Sequence, residues 1–480
     1  MAWQPWIRGG LVLWALAAAA CDSPQPRPGG TFATRAGAAD GGAPRTPPES
    51  RTGDASPLSP VIPDPPASHI EVTLDPALAV GRAVPGMLLS FPYCIPSCTI
   101  ADQPRLMADT TMEDRYLRAI EGATGTIDFS TFTFGRPRLL KALIDAADRG
   151  LRVRGIVDRS QLAATGTACT PAGCSFGPPF DSPDFLARSP RGRFEWAESN
   201  GAWPQGASLM EKLAIVLSGA LNGSGVRRAP GQRIVHNKLA LVDGEVLVNG
   251  SPNWSTTGLA VNLETLETAT LESDPEMLRA FSCMFEAVFT GDPQLIQRRL
   301  PACQTARIFF SPMPALRGVL PEILRSADEA ATSIDIAMHH FTSPEITSAL
   351  VRATRRGVKV RMMLDDDDCM LRMPDEMRAL TRAGAELRYL GTSCELDQLQ
   401  HDKFGVFDGR RVINGPANWT KAGIVTNYEN FVVHTNPSYV GAFEALFERA
   451  WTLARPRDAC GCDRREPTCR ERFCLDRQRR

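Results

Sequence analysis

The sequence predicts an α/β protein in which two repeated sandwich domains pair as a pseudo-twofold dimer within one chain. Two gapless internal alignments carry this reading. IDFSTFTFGRPRLLKALIDAADRGLRVRGIVD (Ile127–Asp158) matches IDIAMHHFTSPEITSALVRATRRGVKVRMMLD (Ile334–Asp365), and VHNKLALVDGEVLVNGSPNW (Val235–Trp254) matches QHDKFGVFDGRRVINGPANW (Gln400–Trp419). With 480 residues, 43% of them apolar, the chain can fill two large cores.

The first repeated block reads as strand, helix, strand. Ser343-Pro344-Glu345 supplies an N-cap, a first-turn proline and a first-turn acid, and Leu350 and Val351 lie on the helix's apolar face. Gly150 and Gly357 stop the two helices, and a short apolar run follows each. A strand–helix–strand of this length is a parallel crossover, so each half becomes a sheet covered by helices.

The second block carries the chemistry. Residues two apart in a strand share a face, so His236 projects with Lys238 and His401 with Lys403, while Val235, Leu239 and Leu241 turn to a core. Asp243-Gly244 and Asp408-Gly409 are hairpin turns, and EVLVNG and RRVING are the return strands. Each aspartate lies up to ~17 Å along the strand from its lysine, which assigns it to the turn and not to catalysis. The return strands bring Asn253 and Asn418 back beside the His–Lys faces. The alignment continues through STTGLAVNLE and TKAGIVTNYE, placing Glu264 and Glu429 each 28 residues after its histidine. The chain has six Lys and six His against 47 Arg, yet two Lys and two His fall into these pairs. Chance placement does not explain that.

Around these blocks the chain divides at changes of composition. Residues 1–20 read as an export signal, with Arg8 before the apolar run Leu11–Ala20. That run is shorter than the ~20 residues needed to span a bilayer. It ends AAAAC, which resembles a bacterial lipoprotein signal and implies lipidation of Cys21. Asp22–Ser68 holds eleven Pro and six Gly and too little apolar surface to offset ordering entropy, so 21–68 is expected to be a tether. The first domain is expected over 69–300, the second over 301–455 and a Cys/Arg-rich tail over 456–480. His236 lies 78 residues after Asp158, whereas His401 lies 36 after Asp365, so the first half carries an insertion near Thr165–Gly206. It holds Phe176, Phe180, Phe185, Phe194, Trp196 and Trp203 among Arg188, Arg191 and Arg193. Setting Cys21 aside leaves twelve of thirteen cysteines, read as disulfides of an oxidising compartment rather than zinc ligands. Proximity suggests Cys94–Cys98, Cys169–Cys174, Cys283–Cys303 and Cys369–Cys394, with two bridges in the tail. A net charge of −1 excludes bulk attraction to nucleic acid but not a local basic groove.

The duplicated His-x-Lys-x4-Asp, with Gly-Ser-x-Asn following, resembles the phospholipase D superfamily over roughly Met107–Trp451. The resemblance implies two phospholipase D-like domains and a phosphodiesterase needing no metal or cofactor. Lys238, Lys403, Asn253 and Asn418 would hold the phosphate oxygens. His236 would be the nucleophile that becomes a phosphohistidine, and His401 the acid that protonates the leaving oxygen. Glu264 and Glu429 would orient the imidazoles. The second copy departs from the pattern with Pro416 in place of serine, expected to remove a hydroxyl near the phosphate. His339 and His340 lack histidine counterparts in the first half and are read as structural. Asp365–Asp368 is read as a strand end and a solvated loop, not a metal site.

The resulting expectation is an exported, membrane-anchored lipoprotein, periplasmic or at the cell surface, that hydrolyses phospholipid head groups as a monomer containing an internal pseudo-dimer. An exported endonuclease, a cardiolipin synthase-like transferase and a non-catalytic phosphate-binding lipoprotein are the alternatives. Phospholipid or a membrane surface is the expected partner, and nucleic acid the alternative. Insertion aromatics forming an apolar mouth would favour lipid; aromatics interleaved with the arginines along a groove would favour nucleic acid.

Overall fold

In the computed structural model, residues 69–162, 168–170, 173–219, 222–231, 233–365, 375–392 and 396–456 are described. They form two large mixed sheets built to one plan. The first comprises β1 (His69–Thr73), β2 (Gly86–Ser90), β3 (Thr126–Thr131), β4 (Arg152–Val157), β5 (Gly225–Arg228), β6 (Leu239–Val242), β7 (Val246–Gly250) and β8 (Thr265–Thr270), in the order β1-β2-β8-β7-β6-β3-β4-β5. The second comprises β9 (Ile308–Ser311), β10 (Ser333–Met338), β11 (Lys359–Asp365), β12 (Glu386–Leu390), β13 (Lys403–Phe407), β14 (Arg411–Asn414) and β15 (Glu429–His434), in the order β9-β15-β14-β13-β10-β11-β12. Without the edge strand β1, the two orders are identical. The two repeated α/β domains expected from the alignments are present.

The crossovers are where the sequence put them. Helix α1 (Pro137–Asp148) joins the parallel pair β3 and β4, and α2 (Pro344–Arg355) joins β10 and β11. Ser343 caps α2 by accepting the Ile346 N–H at 3.4 Å. Gly150 and Gly357 follow the helices at φ 91° and 93°, a left-handed conformation that a Cβ would oppose. The hairpins β6–β7 and β13–β14 turn on Asp243-Gly244 and Asp408-Gly409.

Two helices hold the halves together. Helix α3 (Pro275–Phe289) packs Phe281 and Phe285 with Leu239 and Leu241 of its own sheet and with Ile308, Phe310 and Val432 of the other half. Helix α4 (Pro437–Leu453) does the converse, packing Phe443 and Phe447 with Phe404 and Val406 and with Met87 and Leu89. Each half thus completes its core with the other's strands, and separating them would expose both apolar clusters. A matching pair of ion clusters, each a buried Arg–Asp pair reached by an exposed helix glutamate, ties each helix to its sheet. Arg154 bridges Asp128 at 2.7 and 2.6 Å and Glu286 at 2.6 Å; Arg361 bridges Asp335 at 2.6 and 2.8 Å and Glu448 at 2.5 Å.

The turn aspartates clamp the sheets. Asp243 accepts the backbone N–H groups of Thr124, Gly125 and Thr126 at 2.7, 2.8 and 2.6 Å, and Asp408 those of Ala331, Thr332 and Ser333 at 2.9, 2.7 and 3.0 Å. These bonds tie each hairpin to the start of β3 or β10. Burial opposes ionisation of Asp408, but the three backbone donors prevail and hold its carboxyl at about 2, below its ordinary 3.8. Because the folded state prefers the carboxylate, its contribution is complete above the ordinary value and is lost as pH falls towards about 2. Asp408→Ala should therefore cost about 1–3 kcal/mol at pH 7, the scale of charge-assisted bonds, and much less near pH 2. Denaturant midpoints of both proteins across that range measure this, and a gap independent of pH would contradict it.

The insertion takes neither of the two arrangements that would have separated the substrates. Among its described aromatics, Phe176 lines a cavity with Leu217, Val226 and Phe289, and the others pack inward. Phe180 and Phe185 are buried in a small cluster with Ile215 and Ala197, and Trp196 and Trp203 pack against it. Arg193 is spent on the carbonyls of Val216 and Ser218, and Arg191 on Asp145. The cluster abuts the first domain's core, against which Phe176, Phe194 and Trp203 also pack, since burial offers such aromatics most. Cys94–Cys98 and Cys283–Cys303 are bonded. The Cys169 and Cys174 backbones face each other in a short hairpin. Cys369, Cys394, the tail cysteines, Cys21, the signal and the tether lie outside the described residues. Among the described residues, no helix is long and apolar enough to cross a membrane.

Candidate active site

The two His-x-Lys motifs meet at the seam between the halves. The histidines were expected within strands, but His236–Lys238 and His401 stand just before β6 and β13. Their backbone pairs across the seam instead. The His236 N–H donates to Tyr428 O at 2.9 Å, and the His401 N–H to Leu263 O at 3.1 Å. Each motif is also anchored from behind. Asp158 accepts the Val235 N–H at 3.1 Å and Asp365 the Gln400 N–H at 2.7 Å, in each case the residue before the histidine. Asp365 thus has a structural task, and Asp366–Asp368 lie outside the described residues.

The glutamates work crosswise. His236 Nδ1 lies 2.8 Å from Glu429 Oε2, and His401 Nδ1 lies 2.7 Å from Glu264 Oε1. Each half therefore supplies the carboxylate that orients the other half's histidine. A carboxylate at Nδ1 places the proton there and leaves Nε2 as the free ring nitrogen. Asn262 and Asn427 each donate to the glutamate two residues on, both at 3.2 Å.

Lys238 and Lys403 are fully buried, and each ammonium donates to the carbonyl of its own motif histidine, at 2.7 Å for Lys238. The Asn418 amide oxygen accepts the His340 N–H at 3.1 Å, leaving its NH2 as the donor end to offer a ligand. The Asn253 amide oxygen is buried with no hydrogen-bond partner. Behind the two asparagines, Gly258 and Gly423 admit no side chain. An added Cβ would lie 2.4 Å from Asn253 O and 2.2 Å from Asn418 O.

Burial sets the resting protonation. It lowers His236 to about 4, against the opposing pull of Glu429, so the ring is neutral near pH 7. Burial, then Lys403, then His339 hold His401 well below its usual value. Burial also raises Glu264 to about 7 and lowers Lys403 to about 7. Buried lysines beside histidines from which burial drives the proton suit an anionic ligand, whose charge would restore protons to the bases around it. Asp402, between His401 and Lys403, is fully buried, and burial pushes its carboxyl well up. Its counterpart Asn237 accepts from Asn430 across the seam at 2.9 Å.

The Ser/Pro difference acts elsewhere than expected. Ser251 Oγ donates to Glu264 Oε2 at 2.5 Å. The hydroxyl that Pro416 lacks would have steadied a carboxylate, not the phosphate. The structure also brings in a residue that sequence reasoning set aside, since the His339 ring lies 4.9 Å from that of His401.

Over residues 116–289 and 323–451 the chain matches the family described as cardiolipin synthase, PLD-like domain. It is 30% identical over 207 residues to the mitochondrial cardiolipin hydrolase of Homo sapiens, covering 42% of this chain and 78% of that protein. It is 27% identical over 171 residues to the mitochondrial cardiolipin hydrolase of Chlamydomonas reinhardtii, covering 35% and 73%. The solved phosphatidylserine synthase of Haemophilus influenzae Rd KW20 superposes with a TM-score of 0.50 at 11% identity, over 77% of this chain and 91% of that one, a likeness of fold.

Proposed function

The chain belongs to the phospholipase D superfamily and carries its PLD-like domain twice, and from that premise we propose that it hydrolyses phospholipid head-group phosphodiesters through a phosphohistidine on His236. The observation that carries this reading is the crosswise pairing of two histidines with two glutamates beside two buried lysines. In the first step, His236 Nε2 forms a bond to phosphorus as the bond to the head-group oxygen breaks, and His401 gives that oxygen its proton. In the second, His401 takes a proton from water, the water oxygen bonds to phosphorus, and the P–N electron pair returns to His236. Lys238 and Lys403 meet the charge on the non-bridging oxygens in a water-poor site, where a fixed cation is worth most.

Lipid is favoured over nucleic acid because the relatives with the named lipid activity are cardiolipin hydrolases. The insertion favours neither substrate. Purified protein should release the head group from labelled phospholipid vesicles and leave labelled single-stranded DNA intact. Activity should persist in EDTA, since both lysines already supply positive charge. DNA cleavage with no lipid turnover would give the site to the nuclease reading; phosphatidyl transfer to an added alcohol in place of water would give it to the synthase-like one.

Export and anchoring through Cys21 belong to the same proposal. Residues 22–68, whose Pro/Gly-rich composition suits a linker, would join that anchor to the catalytic body. Mass analysis of the N-terminus should find a diacylglyceryl cysteine; an unmodified Met1 would contradict the anchor and leave the chemistry untouched.

A further inference from the structure

Phe132 and His339 occupy the same place in the repeat, and each lays its ring against the motif histidine of its own half. The Phe132 ring centroid lies 5.4 Å from that of His236 at an interplanar angle of 64°; that of His339 lies 4.9 Å from that of His401 at 61°. The two contacts share one geometry and differ in chemistry. A phenyl ring can neither hold nor pass a proton, whereas an imidazole can do both.

The His339 segment is built into the site. His339 is 4% exposed, and its ring centroid is 3.8 Å from that of half-buried His340. The His340 N–H is held by Asn418. Three imidazoles therefore run outward from buried His401, and no such series stands behind His236.

We propose that His339 is a positioning residue for proton transfer, the group that makes His401 rather than His236 the acid–base member of the pair. This rests on the phosphodiesterase reading given above. The charged and titratable groups bearing on His401 are Glu264, Lys403, Lys238, His236 and His339. Those bearing on His236 include Glu429, Lys238 and Lys403. Carboxylate and lysines are matched in kind by the repeat, whereas the ring laid against each histidine is not. The counterpart of His339 is Phe132. Asp402, whose counterpart is Asn237, faces Glu264 and Lys403.

The chemistry follows from that difference. A phenyl face leaves His236 a neutral ring with its Nε2 lone pair directed at phosphorus, the form a nucleophile needs. An imidazole laid against His401 gives that ring a neighbour able to hand on and take back the proton it transfers, which the phenyl ring against His236 cannot do. Ser251 adds to the same side, since it bonds to the glutamate that holds His401 and Pro416 cannot do so for Glu429.

The test separates proton donation from general damage by changing the leaving group. Two diesters share one phosphoryl part. One has an alkyl alcohol, which must be protonated as it leaves; the other has 4-nitrophenol, which departs as a stable anion. His339→Phe copies the ring found in the other half, so packing is kept. On the alkyl diester it should slow single-turnover release of the alcohol by about tenfold or more, within the ~10²–10⁴ that acid–base catalysis supplies, with KM and the burst rate of 4-nitrophenol release unchanged within about twofold. Equal losses on both diesters, or none on either, would overturn the proposal. Should His339→Phe fail to fold, His339→Gln is put through the same pair, with the same split expected. A wild-type protein inactive on both diesters would overturn the phosphodiesterase reading itself, and this inference with it.

Discussion

His236→Ala and His401→Ala each lower turnover by about 10³-fold or more, with the fold retained. Neither histidine has a substitute. In the proposed mechanism His236 supplies the bond to phosphorus, and His401 the proton for an alkoxide that water at neutral pH protonates poorly. Since both act on one phosphorus, the double variant should lose little more than either single one, as groups that work as a unit do. Stability should change modestly, because removing either ring leaves one buried glutamate short of a partner, a cost of about 1–3 kcal/mol. Rates on a phospholipid and thermal midpoints of the three variants measure both statements. A single variant with near-wild-type turnover at pH 7 would contradict the two-histidine mechanism.

Glu429→Gln and Glu264→Gln should each cost about 10²–10⁴-fold, and in different steps because the pairs cross the seam. Glutamine is close in size, but it has no charge to stabilise an imidazolium and can present an N–H to Nδ1, which forces the wrong tautomer. Glu429 holds His236, so Glu429→Gln should slow formation of the covalent intermediate. Glu264 holds His401, so Glu264→Gln should slow departure of alkyl alcohols and then hydrolysis of the intermediate. Rapid-quench measurement of the burst and the steady state separates the two steps. If each variant impaired the histidine of its own half, the crosswise arrangement would be wrong.

The fold was legible because its signals are local and written twice. Gly150 and Gly357 stop equivalent helices, Asp243-Gly244 and Asp408-Gly409 turn equivalent hairpins, and the intervening runs have strand or helix periodicity. The motif residues were legible for the same reason. What escaped is what depends on the seam. Which glutamate meets which histidine is a contact between residues 193 and 137 apart, and no spacing encodes it. The strand assignment of His236 failed because the His236 and Asn237 N–H groups donate to Tyr428 of the opposite half. Asp158 and Asp365 were seen as matched strand ends, but their bonds to Val235 and Gln400 needed the fold. The hydroxyl missing at Pro416 was assigned to the phosphate because the meeting of its counterpart Ser251 with Glu264 depends on the pairing of β7 with β8. His339 was set aside for lacking a histidine counterpart. The repeat does give it one, Phe132, and a position that is aromatic in both copies was the available signal.

On the proposed mechanism, one phosphate site at the seam uses His236 for the bond and His401 for the proton. The most direct measurement is to quench turnover of a labelled phosphodiester in acid-free denaturant and map the label by peptide mass. The account predicts a phosphorus adduct on His236, absent from His236→Ala and formed from the 4-nitrophenyl diester but slow to hydrolyse in His401→Ala. An adduct on His401, or label on no histidine while turnover proceeds, would contradict it.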